Sequence, residues 1–141
     1  MPQKAIKFFL QDVNYRIKGK TILRIWLEKV ITLENKKLTD LNYIICSDSF
    51  LLELNNKFLK HNTLTDVISF NLSYTDEKIK GEIYISIERI RENAKRYNVK
   101  LLDELHRVMV HGLLHLLGYT DLKEEDKLIM RNKEDYYLSL R

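Results

Sequence analysis

The sequence contains few of the residues that mark several classes of protein. Its single cysteine, Cys46, cannot form an internal disulfide, so we expect a reducing compartment. One proline and four glycines among 141 residues exclude collagen-like and low-complexity chains. No apolar run approaches the roughly 18 residues that a membrane span needs, and the apolar stretch near the N-terminus is too short for a signal peptide. We therefore expect a soluble, cytoplasmic protein with no membrane partner.

The composition is that of an ordinary folded domain. Hydrophobic residues make up 45% of the chain, which is enough to build a core at this length. Lysine and arginine number 24 against 20 aspartates and glutamates, a net charge of +4. This small surplus is compatible with an anionic partner. We predict one domain that spans residues 1–141.

Hydrophobic periodicity predicts an α+β fold. Short apolar runs predict strands over residues 5–10, 41–46, 65–71 and 81–85. Amphipathic spacing predicts helices over residues 20–35, 48–58, 86–97, 101–117 and from about 123 to the C-terminus. The expected architecture is a mixed sheet of about four strands packed with helices, with residues 73–80 as a polar loop.

The segment HGLLHLLGYTD contains the candidate metal-binding residues. His111 and His115 lie four residues apart, so a helix places both imidazoles on one face. Gly118 ends this helix and lets the chain turn back, and Asp121 follows at an offset that can bring a carboxylate to the same point. Three protein ligands with one open position are typical of a catalytic zinc site, in which the bound water is the reactive group.

Gly112 separates this pattern from the zinc proteases. Those enzymes have a glutamate general base directly after the first histidine, whereas this chain has glycine. A glycine inside a helix costs about 1 kcal/mol relative to alanine, so we expect another part of the chain to pack closely there.

Several motifs in order resemble the YbeY-type endoribonucleases, a bacterial family also called rRNA maturation factors. HGLLHLLGYTD resembles the family signature HGxLHLxGYDH. The resemblance extends over residues 41–121 and includes the segments LNYIICSDSFLLELNNKFLKHNTLTDVISF, GEIYIS and ELHRVMVHGLLHLLGY.

The resemblance implies a zincin-like α+β fold and one zinc ion per chain, bound by His111, His115 and Asp121. It implies a hydrolase that cleaves single-stranded RNA, acts in rRNA maturation at the 3′ end of the small subunit and serves ribosome quality control. The expected partners are therefore single-stranded RNA, rRNA, the small ribosomal subunit and its associated factors.

The sequence departs from the family at the third ligand. The family has histidine where this chain has Asp121. A carboxylate oxygen is an accepted zinc ligand, so we expect the site to persist with a more anionic donor set. Asp126 is the alternative third ligand.

A second departure concerns the substrate. The family often has an arginine in the loop before its TDVLSF-like segment, and Leu59 stands at that position here. Lys60 or His61 is predicted to supply the missing charge. Asp66 opens the strand that the family places beside the metal, and it is either a further substrate-binding residue or part of an ordinary strand start.

Other polar residues have simpler interpretations. Glu104 is either a hydrogen-bond partner of a ligand histidine or a carboxylate favoured by the helix dipole. His106 is expected at the surface, and Cys46 and Trp26 in the core. The charged stretches KEEDK and NKED, residues 123–127 and 132–135, are interpreted as solvated helix faces.

Two main classes of function are compatible with these sequence features. The first is a zinc-dependent endoribonuclease. The second is a non-catalytic ribosome-assembly factor in which the metal only stabilises the fold. A metalloprotease is a third class, and Gly112 argues against it.

Overall fold

The structure is a computed structural model that describes residues 4–59 and 64–141. Within these ranges the strands are β1 (Ile6–Gln11), β2 (Lys37–Cys46), β3 (Val67–Asn71) and β4 (Lys78–Ser86). The helices are α1 (Lys20–Leu33), α2 (Asp48–Leu59), α3 (Ile87–Tyr97), α4 (Leu101–Leu116) and α5 (Glu124–Leu138). None of the helices in these ranges is long and apolar enough to cross a membrane.

The four strands form one mixed sheet in the order β1-β2-β4-β3. Strands β1, β2 and β4 run parallel, and β3 lies at an edge, antiparallel to β4. The carboxyl half of the central strand β2 is buried on both faces, as its continuous apolar run predicts. The α+β class and the mixed four-stranded sheet are therefore confirmed.

The helices cover the two faces of the sheet unequally. The main core lies against α1 and α4, and it includes Trp26, whose indole N–H donates to the carbonyl of Tyr137 at 2.8 Å. A smaller cluster lies under α2, where Cys46 packs with Leu51 and Ile68. Trp26 and Cys46 are thus core residues, as the sequence predicts.

Gly112 lies where α4 packs tightly against the sheet. A Cβ atom at this position would lie 2.7 Å from Cγ2 of Ile83 and 3.2 Å from Cγ2 of Val67. The Gly112 carbonyl also accepts a hydrogen bond from the Ser69 hydroxyl at 2.9 Å. The close packing expected at this glycine is therefore present, and it fixes the distance of the helix from β3 and β4.

The substitution Gly112→Ala is expected to destabilise the protein, although alanine is the better helix former. Overpacking against the β-branched Ile83 costs about 1–3 kcal/mol, and helix propensity returns about 1 kcal/mol. We expect a net loss of up to about 2 kcal/mol in the free energy of unfolding. Urea unfolding in the presence of a metal chelator measures it, and a variant more stable than the wild type contradicts this packing.

Candidate metal centre

The end of α4 turns the chain back toward the helix. Gly118 has a positive φ of 107°, and the N–H groups of Gly118 and Tyr119 donate to the carbonyls of His115 and Leu114 at 3.1 and 3.0 Å. This pair of bonds is the Schellman pattern, which requires a left-handed residue and favours glycine. The turn returns Asp121 to the face of α4 that carries the two histidines.

Three donor atoms meet at this point. Nε2 of His111 lies 3.1 Å from Nε2 of His115. Oδ2 of Asp121 lies 3.4 Å from the first of these nitrogens and 3.6 Å from the second. The structure thus brings together all three side chains that the sequence nominated as metal ligands.

The hydrogen bonds of the two imidazoles show which nitrogens carry protons. Nδ1 of His111 lies 2.7 Å from a carboxylate oxygen of Glu134, and Nδ1 of His115 lies 3.1 Å from the carbonyl oxygen of Tyr119. Because these oxygens accept, the neutral form of each imidazole is assigned its proton on Nδ1, which leaves the lone pair of each Nε2 atom free. Two lone pairs and the Asp121 carboxylate therefore face one another, an arrangement that only a cation or a proton stabilises.

The spacing of the three atoms suits a tetrahedral metal. Zinc binds imidazole nitrogen and carboxylate oxygen at about 2.0–2.2 Å, so two ligands of a tetrahedral site lie about 3.3 Å apart. The observed separations of 3.1, 3.4 and 3.6 Å bracket this value. The donor set therefore fits a zinc-like ion with three protein ligands.

Glu134 is a contact of a candidate ligand that the sequence does not predict. Its charged stretch indicates a solvated helix face, but the residue is 5% exposed and contacts Nδ1 of His111. Its second oxygen accepts from Arg107 at 2.9 Å, and Arg107 also binds Asp135 at 2.7 Å. The missed signal is the helical spacing of Met130, Glu134 and Tyr137, which places the glutamate on the buried stripe of α5.

The two histidines differ in their electrostatic surroundings. Burial lowers the pKa of His111, but the hydrogen bond and charge of Glu134, with the charge of Asp121, more than offset this and leave that pKa above its ordinary value. Burial and the neighbouring His111 hold the pKa of His115 below its ordinary value. His111 is therefore the more basic of the two candidate ligands.

A cavity of about 820 Å³ opens beside His111, between α3, α4 and α5. Asp66 lines it, and burial raises the pKa of this carboxyl although the charge of His111 acts in the opposite direction. Asn93 donates to Asp66 at 3.2 Å and to Glu104 at 3.4 Å. Glu104 is buried with Asn93 as its hydrogen-bond partner, and the carboxylate that contacts His111 belongs to Glu134.

Three further predictions have different outcomes. Lys60 and His61 lie outside the described residues. Asp126 accepts from the Thr120 hydroxyl at 3.3 Å and does not belong to the converging donors of the described part of the chain. The prediction that His106 lies at the surface holds only in part, because its side chain is partly buried. Its ring packs 5.7 Å from that of Trp26, and burial, aided by Arg141, lowers its pKa to about 4.

Comparisons with known proteins identify the same family that the motifs resemble. Residues 9–140 match the family model described as Endoribonuclease YbeY. A protein of that name from Cytophaga hutchinsonii is 45% identical over 141 residues, which is 100% of this chain and 99% of the relative. Another from Flavobacterium psychrophilum is 50% identical over 132 residues, 94% of each chain.

A solved structure has the same fold. The solution structure of TM1509 from Thermotoga maritima superposes with a TM-score of 0.66 at 30% identity, over 95% of this chain and 87% of that one. The family match covers nearly the whole sequence, and the relatives span it almost end to end. The chain therefore belongs to the endoribonuclease YbeY family.

Proposed function

We propose that this protein is a zinc-dependent endoribonuclease that cleaves single-stranded RNA. The single observation that carries the proposal is the convergence of two imidazole lone pairs and one carboxylate within 3.1–3.6 Å of one another. Membership of a family whose relatives are named endoribonucleases gives the substrate class. We propose His111, His115 and Asp121 as the ligands of one zinc ion per chain.

Each residue of the proposed centre has a separate task. A bound zinc ion supplies Lewis acidity toward a phosphate oxygen and lowers the pKa of a water molecule. Glu134 and the Tyr119 carbonyl hold the Nδ1 protons of the histidines, which keeps both Nε2 atoms directed at the ion. The carboxylate of Asp121 would add a negative charge that partly neutralises the positive charge of the bound zinc ion.

The environment of position 112 argues against a peptidase. The glycine faces Ile83 and Val67 of the sheet, so the position that carries the general base in zinc proteases points away from any substrate. A bound zinc ion would lower the pKa of a water molecule, or polarise the phosphate that the 2′-hydroxyl of RNA attacks, and neither role needs a carboxylate at position 112.

Substrate contacts belong to the same proposal. Asp66 lines the cavity beside His111 and is proposed to contact the substrate. Lys60 and His61 are proposed to take over the charge of the family arginine at Leu59. The net charge of +4 favours an anionic polymer, and binding should weaken as salt rises.

The biological role that fits this activity is maturation of rRNA at the 3′ end of the small subunit, together with ribosome quality control. The proposed partners are rRNA, the small ribosomal subunit and its associated factors, in the cytoplasm. The support is membership of the family and the name endoribonuclease that its relatives carry.

Metal removal tests the proposed activity. The purified protein is incubated with a single-stranded RNA and with the same RNA as a duplex, before chelation, after chelation and after zinc is returned. We expect cleavage of the single strand alone, its loss on chelation and its recovery with zinc. Cleavage that survives chelation contradicts the proposal, and stoichiometric zinc without cleavage favours the non-catalytic assembly factor.

A further inference from the structure

A glutamate far from the signature motif receives three hydrogen bonds. Glu34 follows α1 at its C-terminal end, and its side chain is 10% exposed. One carboxylate oxygen accepts from the hydroxyl of Tyr119 at 2.6 Å. The other accepts from Lys133 at 3.1 Å and from the hydroxyl of Tyr137. This carboxylate therefore joins the end of α1 to α5 and to the loop that follows α4.

Tyr119 connects this cluster to the proposed zinc centre. Its carbonyl oxygen accepts the Nδ1 proton of His115 at 3.1 Å, and Asp121 lies two residues further along the chain. Lys133 lies 5.6 Å from the centroid of the Tyr119 ring. The same residue is thus held by its side chain at Glu34 and by its backbone at a candidate ligand.

The charge state of the cluster suits a fixed anchor. Burial raises the pKa of Glu34, but the hydrogen bonds from Tyr119, Tyr137 and Lys133 more than offset it and leave that pKa below its ordinary value. The carboxylate therefore stays ionised, and a hydroxyl that donates to an ionised carboxylate forms a charge-assisted hydrogen bond.

We propose that Glu34 and Tyr119 are positioning residues that hold the loop of residues 117–121 and thereby set the zinc affinity of the centre. Glu34 fixes the Tyr119 ring, the Tyr119 carbonyl fixes the tautomer and orientation of His115, and the loop delivers Asp121. The inference rests on the proposed function, because it assumes that these residues bind zinc. It adds that a residue at the end of the first helix controls how well they do so.

The chain offers a matched control for this inference. Tyr119 and Tyr137 donate to the same carboxylate, and each Tyr→Phe substitution removes one hydroxyl. Tyr119 carries the carbonyl that binds His115, whereas Tyr137 lies on α5 and is 1% exposed within the main core. A purely structural role for the cluster predicts the same effect on zinc binding from both substitutions.

The test compares the zinc Kd of Tyr119→Phe, Tyr137→Phe and the wild type by competition with a chromogenic chelator. We expect Tyr119→Phe to raise the Kd by about tenfold, at the lower end of what partners of metal ligands contribute, and Tyr137→Phe to leave it within about twofold. Glu34→Gln, which removes the charged acceptor, should raise the Kd as Tyr119→Phe does. Thermal unfolding with chelator present establishes that every variant is folded at the assay temperature.

The outcomes separate this inference from the proposed function. Equal Kd values for the two phenylalanine variants, or a wild-type Kd for Glu34→Gln, overturn the positioning role while tight wild-type binding leaves the proposed zinc centre standing. A wild-type protein that binds no zinc overturns both. Raised Kd values in Tyr119→Phe and Glu34→Gln but not in Tyr137→Phe support the inference.

Discussion

His115→Ala is expected to reduce both bound zinc and RNA cleavage to background. The substitution removes one of three converging donor atoms and the hydrogen bond that ties α4 to the Tyr119 carbonyl. Even residues that only support a ligand contribute about 10–100-fold in metal affinity, so loss of a ligand should cost more than about a hundredfold. Metal analysis after native purification and cleavage of single-stranded RNA measure the two effects.

His106→Ala is the matched control for this prediction. His106 lies on the same helix, but it packs against Trp26 and bonds to Arg141. We expect this variant to keep its zinc and its activity while losing some stability. If the His115→Ala preparation cleaves RNA as fast as the wild type, the activity comes from a contaminating nuclease and the proposed centre is wrong.

Glu134→Gln should weaken zinc binding by about 10–100-fold without removing any ligand. The carboxylate accepts the Nδ1 proton of His111 at 2.7 Å, which increases the basicity of the opposite nitrogen. Glutamine keeps the shape but loses the charge, and the buried Arg107 pair is weakened at the same time. A chelator competition measures the Kd, and thermal unfolding without metal measures the structural cost separately.

Asp135→Asn provides the comparison for Glu134→Gln. Both carboxylates bind Arg107, but the Asp135 side chain is 56% exposed and Glu134 contacts His111. Exposed ion pairs contribute little, so we expect zinc affinity within about twofold of the wild type. A similar loss of affinity in both variants would show that Arg107, not the contact with His111, is responsible.

Much of the architecture could be predicted because apolar spacing decides it. The apolar run before Cys46 and the apolar run after Lys80 form the strands β2 and β4, which pair in parallel. The Ser86 side chain caps α3 by accepting a hydrogen bond from the Arg89 N–H at 3.2 Å. The strand ends were less predictable. Residues 37–40 and 78–80 extend β2 and β4 into mostly polar sequence, where the paired residues Leu38 and Ile79 pack in the core and Lys37 pairs with Lys78 through the backbone.

The candidate site was predictable where residues follow one another along a helix and a turn. His111, His115 and Asp121 lie within eleven positions of each other, so local geometry alone brings them together. Glu134 contacts His111 from α5, and Glu34, which directly follows α1, contacts Tyr119. Only the tertiary packing of these helices decides those contacts, and a charged residue in a charged stretch gives no strong local signal.

The close packing of α4 on the sheet also bears on how this scaffold can evolve. A glutamate at position 112 would place its side chain against Ile83, where even a Cβ atom comes within 2.7 Å. A protease-like general base therefore needs more than one substitution, because its side chain would have to displace Ile83 and Val67. The distance between one helix and one sheet thus restricts which reactions later mutations can reach, and it argues against peptide hydrolysis by this histidine pair.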